Sequence, residues 1–208
     1  MNILVSCDTN YLNPLKTMLY SLFLTNDNYI NIYILHSSIS DENIKELENY
    51  IKDKSNSKAR LINLKVVDEF KKAHTTFYYT SEMYFRLIAY KYLPEDLDRI
   101  LYLDPDTLIL NSLMDLYKSD FEENYYMAAI HTIPTVQSAN KARLILTSEK
   151  SDIVNYYNSG ILMINLKKAR EKSYDDKIIN YIEHSPKAGL MMPDQDLLNV
   201  VFRNKIKE

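Results

Sequence analysis

The 208-residue sequence contains no tryptophan, one cysteine and only two glycines. With so few glycines it has neither the G-x-G-x-x-G loop nor the P-loop, so a bound nucleotide must be held in another way. The single cysteine, Cys7, cannot form an internal disulfide and fits a reducing compartment. No apolar run reaches the roughly 18 residues of a membrane span, and the segment 1–7 is too short for a signal peptide. These absences predict a cytoplasmic protein with no membrane span.

The charge balance gives no electrostatic reason to expect nucleic acid as a partner. Lysine and arginine number 25 against 28 aspartates and glutamates, for a formal net charge of −3. Nucleic-acid-binding domains usually carry a clear basic excess. The hydrophobic fraction of 46% is sufficient for a substantial core. We therefore predict a single α/β domain over residues 1–208.

Short apolar runs alternate with stretches of helical periodicity, which is typical of a mostly parallel central sheet flanked by helices. Strands are predicted at 2–7, 30–36, 60–66, 100–103 and 125–131, and a further apolar run spans 156–165. Helices are predicted at 11–24, 41–52, 81–93, 113–117, 167–184 and 194–202. Irregular structure is predicted at 70–80 and 186–193, and loop with some helix at 132–152. In the apolar run, Gly160 is predicted to mark a bulge or a close approach.

Polar residues follow several of the predicted strands. Ligands of open α/β sheets bind at the carboxyl ends of the strands. The residues at such ends are Asp8, His36, the pair Asp104 and Asp106, and His131. Their common position predicts a binding site at this edge of the sheet.

The segment 98–110, with the sequence DRILYLDPDTLIL, carries the most specific chemistry. Asp104 and Asp106 flank Pro105 directly after a buried strand, where unpaired charge is costly to bury. Two carboxylates held by a rigid proline suit a hard divalent cation, Mg²⁺ or Mn²⁺, shared with a phosphate. A capping aspartate and a turn aspartate before a helix would give the same D-x-D pattern. This segment alone leaves both interpretations open.

Five segments, in order and covering nearly the whole chain, resemble glycosyltransferase family 8, which includes bacterial lipopolysaccharide galactosyl- and glucosyltransferases and the glycogenins. They are SCDTNYL (6–12), SEMYFRL (81–87), ILYLDPDTL (100–108), YYNSGILMINLKKAR (156–170) and PDQDLLN (193–199). The resemblance implies a Rossmann-like nucleotide-sugar transferase fold of the GT-A type. It also implies retaining transfer of glucose or galactose from a UDP-sugar to a glycan or lipid-linked saccharide acceptor.

The resemblance assigns roles to residues near the nucleotide. Asp104 and Asp106 match the D-x-D acids that hold Mn²⁺, or Mg²⁺, and the metal would stabilise the diphosphate as a leaving group. Asp8, Asn10 and Tyr11 match the segment that contacts uracil and ribose. An Asx turn or a helix N-cap is the structural alternative for Asp8 and Asn10.

Further assignments concern the donor sugar. Arg86 matches the arginine near the sugar and the diphosphate, with a helix-face pair to Glu82 as the structural alternative. Asn158, Asp194 and Gln195 match residues around the sugar and its anomeric carbon. Retention requires either a carboxylate nucleophile or front-face attack within an ion pair. Because Gln195 is a weak nucleophile, front-face attack is favoured, with Asp194 binding sugar hydroxyls.

Other polar residues are expected to have lesser roles. A helix N-cap is the alternative for Asp194, and Asp196 is expected only to interact favourably with the helix dipole. Cys7 is expected in the core, and Tyr84 fits the pocket wall and core packing equally. His131 is a candidate acceptor-site residue, whereas the other three histidines are expected at the surface or in the core.

One expected element of the family is missing from the sequence. Members normally add a third metal ligand, a histidine in an H-x-x-G-x-x-K-like element, and none of the four histidines here is followed by that pattern. We expect the sequence either to stop before that element or to lack it. This departure favours one alternative, a non-catalytic nucleotide-sugar-binding domain. A sugar nucleotidyltransferase is a second alternative, weakened by the absence of a Gly- and Arg-rich phosphate loop. The acceptor, from lipopolysaccharide, capsule or protein, is not encoded in any recognisable motif.

Overall fold

The computed structural model describes residues 1–66, 82–148, 150, 152–171, 174–184 and 192–208. The irregular stretch predicted at 70–80, which includes His74, lies outside the described residues. The same holds for most of the loop predicted at 186–193. No helix in the described part of the chain is both long enough and apolar enough to cross a membrane.

The described strands form one seven-stranded sheet. They are β1 (Asn2–Ser6), β2 (Ile30–His36), β3 (Ala59–Lys65), β4 (Arg99–Leu103), β5 (Tyr126–Met127), β6 (Ile161–Asn165) and β7 (Ile206–Lys207). The spatial order is β3-β2-β1-β4-β6-β5-β7. The first four strands pair in parallel, as does β5 with β7, and β6 runs antiparallel to both neighbours. The predicted mostly parallel sheet is confirmed.

Helices cover both faces of this sheet. They are α1 (Leu12–Thr25), α2 (Asp41–Lys54), α3 (Glu82–Ile88), α4 (Met114–Lys118), α5 (Pro134–Ser148), α6 (Leu166–Glu171), α7 (Asp175–His184) and α8 (Pro193–Val201). Strand residues alternate between the two faces, as the two-residue period of a strand requires. In β4, Leu101 and Leu103 belong to the same hydrophobic cluster as residues of α1 and α2, whereas Ile100 and Tyr102 belong to the cluster that includes residues of α3, α6, α7 and α8. All four are fully buried, which agrees with a strand covered on both sides.

Three predicted elements differ from the structure. The stretch 132–152, predicted as loop with some helix, contains the fifteen-residue helix α5. The single helix predicted at 167–184 is two helices, because α6 packs against β4 whereas α7 packs against α8. The strand predicted at 125–131 is reduced to the two residues of β5, the only ones with ladder partners on both sides, plus an isolated bridge between Ile130 and Tyr157.

Candidate functional site

A cavity of about 400 Å³ opens where the carboxyl ends of β1 and β4 meet the start of β6 and the first turn of α8. Seven of the nine predicted site residues line it: Asp8, Tyr11, Arg86, Asp104, Asp106, Asp194 and Gln195. Residues that were not predicted as site residues complete the wall: Ser6, Cys7, Glu82, Met83, Pro105, Ser159 and Met192. All of these except Met192 stand inside the recognised motifs, so the motifs themselves were the available signal.

The other two predicted residues, Asn10 and Asn158, are exposed and do not line the cavity, but each contacts a residue at its edge. Asn10 donates to the Asp8 carboxylate from its backbone N–H (2.9 Å) and from its side-chain amide (3.2 Å). Asp8 also caps the short 3-10 turn Thr9–Tyr11, so its structural alternative is confirmed as well. Asn158 accepts a hydrogen bond from the Gly160 N–H through its side-chain oxygen (2.8 Å). These contacts orient wall residues without entering the cavity lining.

Arg86 connects the two acidic sides of the cavity. Its Nη1 lies 2.9 Å from Asp104 Oδ1 and 3.5 Å from Asp194 Oδ2. The same nitrogen donates to the Ser159 carbonyl (2.8 Å), while Nε donates to the Met83 carbonyl (2.9 Å). A buried charge needs such partners. The guanidinium is therefore fixed between the strand end that carries the D-x-D motif and the first turn of α8.

Burial and charge shift the pKa values of this cluster. Burial raises the pKa of Asp104, and the Arg86 charge and a 2.6 Å hydrogen bond from the Tyr102 hydroxyl offset part of that rise. Burial by itself would lower the pKa of Arg86, but Tyr102, Asp194 and Asp104 together leave it above its usual value. The guanidinium also stacks on the Tyr102 ring, 4.3 Å from its centroid. Arg86 is thus a permanent positive charge in the wall.

Gly160 is required by a close approach, as the sequence predicted. A Cβ at this position would lie 2.6 Å from Asp104 Oδ2 and 3.1 Å from Asn158 Oδ1. The backbones are joined too, because the Asp104 N–H donates to the Gly160 carbonyl (2.8 Å). Only a residue without a side chain lets the Asp104 carboxylate occupy its place.

The first turn of α8 faces the segment before β6. Ser159 Oγ donates to Asp194 Oδ2 (2.9 Å), and the Ser159 N–H donates to Gln195 Oε1 (3.1 Å). The N-cap residue of α8 is Met192, so the alternative of Asp194 as the N-cap is wrong. Ser159 therefore positions both polar residues that α8 directs into the cavity.

The prediction that Asp196 only interacts with the helix dipole is wrong. Its carboxylate is fully buried and accepts two hydrogen bonds from Arg143, at 2.8 and 2.6 Å. The Tyr156 hydroxyl donates a third (2.7 Å). Asp196 lies away from the cavity, on the face of α8 that contacts α5. Sequence reasoning missed this pair because Arg143 lies in the stretch predicted as loop.

Two histidines at strand ends do not join the cavity lining, contrary to the predicted convergence. His36 is buried, its Nε2 lies 2.6 Å from Asn63 Oδ1, and its Nδ1 accepts from the Ile39 N–H (3.0 Å). Burial lowers its pKa, which is the behaviour of a neutral core histidine. His131 is exposed, and its Nδ1 accepts from the Ile133 N–H (3.2 Å). Cys7 is buried as expected, and burial raises its pKa to about 12.

The charges of the cavity indicate what it can bind. Among the described lining residues, five are acids (Asp8, Glu82, Asp104, Asp106 and Asp194) and one, Arg86, is basic. Oxygen-only ligands suit Mg²⁺ or Mn²⁺, which are commonly held by one or two carboxylates plus substrate phosphates. No group of three or more His, Cys, Asp or Glu side chains arranged for a metal occurs in the described part of the chain. Asp104 and Asp106 therefore fit a metal that a phosphate ligand completes.

The fold and the cavity at the strand ends are those of a GT-A glycosyltransferase. Crystal structures of galactosyltransferase LgtC match the whole chain over 72% of their own length. The complex with donor and acceptor sugar analogs has a TM-score of 0.84 at 27% identity. An active-site glutamine-to-glutamate mutant of LgtC has a TM-score of 0.85 at 26% identity. The chain belongs to glycosyl transferase family 8, whose model matches residues 2–208.

Sequence relatives agree with this assignment. A putative glycosyltransferase of Haemophilus influenzae is 31% identical over 209 residues, covering 100% of this chain and 61% of the relative. The lipopolysaccharide 1,3-galactosyltransferase of Salmonella typhimurium is 26% identical over 216 residues, covering 99% of this chain and 60% of the relative. The chain thus spans about six tenths of the length of these curated relatives.

Proposed function

We propose that this chain is the catalytic domain of a metal-dependent, retaining hexosyltransferase. It transfers glucose or galactose from a UDP-sugar to a glycan or lipid-linked saccharide. The observation that carries the proposal is the arrangement of Asp104, Arg86 and Asp194 in one cavity, where a single guanidinium contacts acids from two sides. One acid belongs to the D-x-D motif after β4, and the other to the first turn of α8.

The acidic cavity explains why the donor needs a metal. A nucleoside diphosphate is an anion, and the described lining offers five carboxylates against one guanidinium. Repulsion between like charges in a partly buried site would oppose binding unless a cation accompanies the phosphates. Asp104 and Asp106 would hold Mn²⁺ or Mg²⁺, which would supply charge neutralisation to the leaving diphosphate. Arg86 would donate charge-assisted hydrogen bonds to the same group.

The nucleoside is placed at the β1 side of the cavity. Tyr11 is 42% exposed and lines the cavity, and an aromatic ring in this position would stack on a base. Asp8 lies beside it and is held by two hydrogen bonds from Asn10. A carboxylate fixed in this way can accept a hydrogen bond from uracil or ribose without first reorganising. We assign Asp8, Asn10 and Tyr11 to nucleoside recognition.

The donor sugar is placed at the α8 side. Asp194 can accept hydrogen bonds from sugar hydroxyls while its other contacts, Ser159 and Arg86, keep it oriented. Gln195 stands next to it, with its Oε1 fixed by the Ser159 N–H. The active-site glutamine mutant of LgtC is consistent with a role for such a side chain. Asn158 would contribute indirectly, because its side-chain oxygen accepts a hydrogen bond from the Gly160 N–H. An amide at this point favours front-face attack, because it is a poor nucleophile.

A second candidate function is a nucleotide-sugar-binding domain without transfer activity. The observation that favours it is that no group of three or more His, Cys, Asp or Glu side chains among the described residues could hold a metal, so Asp104 and Asp106 would have no third protein ligand there. Binding would survive with fewer ligands, because the phosphates complete the coordination. The two candidates differ in turnover and not in affinity.

The test is release of UDP from UDP-glucose and UDP-galactose, with Mn²⁺ or with EDTA, which needs no knowledge of the acceptor. We expect release from one of the two donors, dependent on Mn²⁺ and lost in the Asp104→Asn/Asp106→Asn variant. Asp53→Asn, at the exposed end of α2, is the matched control and should behave as wild type. UDP binding without release from either donor would favour the second candidate. Mn²⁺-dependent binding that survives the double substitution would refute the metal assignment.

A further inference from the structure

A buried acid on the cavity wall, Glu82, has no role in the function proposed above. It is the first residue of α3, is only 5% exposed, and lines the cavity. Ser37, directly after β2, donates a hydrogen bond of 2.5 Å to Glu82 Oε1. This contact fixes the carboxylate at the carboxyl end of β2. A buried carboxylate in a ligand cavity is costly unless donors surround it.

The strand order shows which part of a donor would meet Glu82. Neighbouring strands run in the order β2, β1, β4, β6, and the residues next to their ends at this edge follow the same order. Ser37, which holds the lining residue Glu82, comes first, and the lining residues Asp8, Asp104 and Ser159 follow. With the diphosphate at Asp104 and the hexose at Ser159 and Asp194, the nucleoside lies toward β1 and β2. Glu82 is therefore on the nucleoside side of the cavity.

The pKa of the Cys7 thiol agrees with this position. After burial, the two influences that raise it are the charges of Asp8 and Glu82. Asp8 and Tyr11 line the β1 side of the cavity, to which the nucleoside is assigned above. The ribose of that nucleoside carries two hydroxyls, each a hydrogen-bond donor, so it offers a donor to Glu82 as well as to Asp8.

We propose that Glu82 accepts a hydrogen bond from the ribose 2′-hydroxyl of the donor and thereby selects ribonucleotides over deoxyribonucleotides. In this sheet the strand order reverses between β1 and β4, which is where the proposed diphosphate site lies. An acid near the end of β2, the next strand, is then placed to meet the ribose. The proposal rests on the function proposed above and adds the sugar of the nucleotide as a recognised feature.

The experiment compares the affinities of UDP and 2′-deoxyUDP, measured by calorimetry with saturating Mn²⁺. Wild type should bind UDP about tenfold or more tightly than 2′-deoxyUDP, the size expected for one hydrogen bond to a charged group. Glu82→Gln, which keeps an acceptor without the charge, should reduce that preference. Glu82→Ala should abolish it, with the affinity for 2′-deoxyUDP changed by less than about threefold.

Two further variants keep the experiment decisive. Ser37→Ala removes only the hydrogen bond that fixes Glu82, and it should reduce the preference without deleting the acid. Asp106→Asn, on the diphosphate side, should weaken UDP and 2′-deoxyUDP by the same factor and leave their ratio unchanged. The comparison of ratios removes any general loss of stability from the result, because both ligands meet the same protein.

The outcomes separate this proposal from the one on which it rests. Equal weakening of both ligands by the Glu82 substitutions, or an unchanged preference in Glu82→Ala, would overturn the assignment to the 2′-hydroxyl and leave the transferase function intact. Failure of wild type to bind either ligand with Mn²⁺ would overturn the proposed function and the role of Glu82 together.

Discussion

Asp194 and Asp196 stand two residues apart in the first turn of α8 and have opposite surroundings. Asp194 is 7% exposed, lines the cavity and is held by Ser159 and Arg86. Asp196 is fully enclosed and receives hydrogen bonds from Arg143 and Tyr156. Two residues rotate a helix by about 200°, so the two acids face opposite sides. One face of this turn lines the cavity, and the other fastens α5 to the domain.

The largest expected effect is a loss of stability when the enclosed Asp196–Arg143 pair is broken. Asp196→Ala leaves the Arg143 guanidinium without its carboxylate partner in a partly buried position. Breaking such a pair costs about 3–5 kcal/mol of the free energy of unfolding. Urea denaturation followed by circular dichroism measures this directly. Asp176→Ala, which removes an exposed first-turn acid of α7, is the matched control and should cost less than about 1 kcal/mol.

A combined replacement sharpens the same point. Arg143→Met/Tyr156→Phe/Asp196→Leu removes both charges and the hydroxyl together, so no buried charge is left unpaired. Apolar replacement of a buried ion pair is often neutral or stabilising, so at least half of the stability lost in Asp196→Ala should return. Equal instability of the triple variant and Asp196→Ala would contradict the assignment of the loss to an unpaired charge.

The next largest expected effect is a loss of turnover when Asp194, on the cavity side of the turn, is changed. Asp194→Asn keeps the shape and an oxygen acceptor for Ser159, so its free energy of unfolding should change by less than about 1 kcal/mol. We expect kcat to fall about 10²- to 10³-fold, because a charge that acts in the transition state is lost. Steady-state kinetics with the better UDP-sugar donor would measure it. Normal turnover combined with a loss of stability would show that Asp194 is structural.

The smallest of the three effects tests the cavity side without changing a charge. Gly160→Ala places a methyl group 2.6 Å from Asp104 Oδ2, and the carboxylate must move. We expect Mn²⁺-dependent UDP affinity to fall about tenfold, as for a misplaced metal ligand. In an Asp104→Asn background the same alanine should have little further effect, because coupled residues are not additive. Full additivity would show that Gly160 acts elsewhere.

The sheet and the D-x-D position were predictable because their signals are local. The segment 30–36 is mostly apolar and rich in isoleucine, and it was predicted as a strand with its observed bounds. The acids that follow β1 and β4 reach one cavity because parallel strands bring their carboxyl ends to a common edge. Recognised motifs supplied Arg86, Asp194 and Gln195, which no local pattern would have grouped.

The elements that were missed depend on distant contacts. Helix α5 has one buried side chain, Leu144, so its apolar pattern is weak. It is fastened by Arg143 to an aspartate 53 residues away. Asp194 and Asp196 have the same local pattern of first-turn acids, so only the motif match, and no local pattern, indicated that Asp194 faces the cavity. Glu82 was not predicted as a site residue because its partner Ser37 is 45 residues away, so no local pattern connects the two.

The antiparallel direction of β6 has a consequence for how this domain can vary. Its five-residue ladder with β4 fixes Gly160 beside Asp104 independently of the chain that precedes it. Helix α5, between β5 and β6 in the chain, contributes no residue to that ladder. Lengthening a flexible loop costs little free energy, about 0.6 kcal/mol for each doubling of its length. We therefore expect changes of length next to α5 to leave Gly160 beside Asp104, provided that a partner for Asp196 is retained.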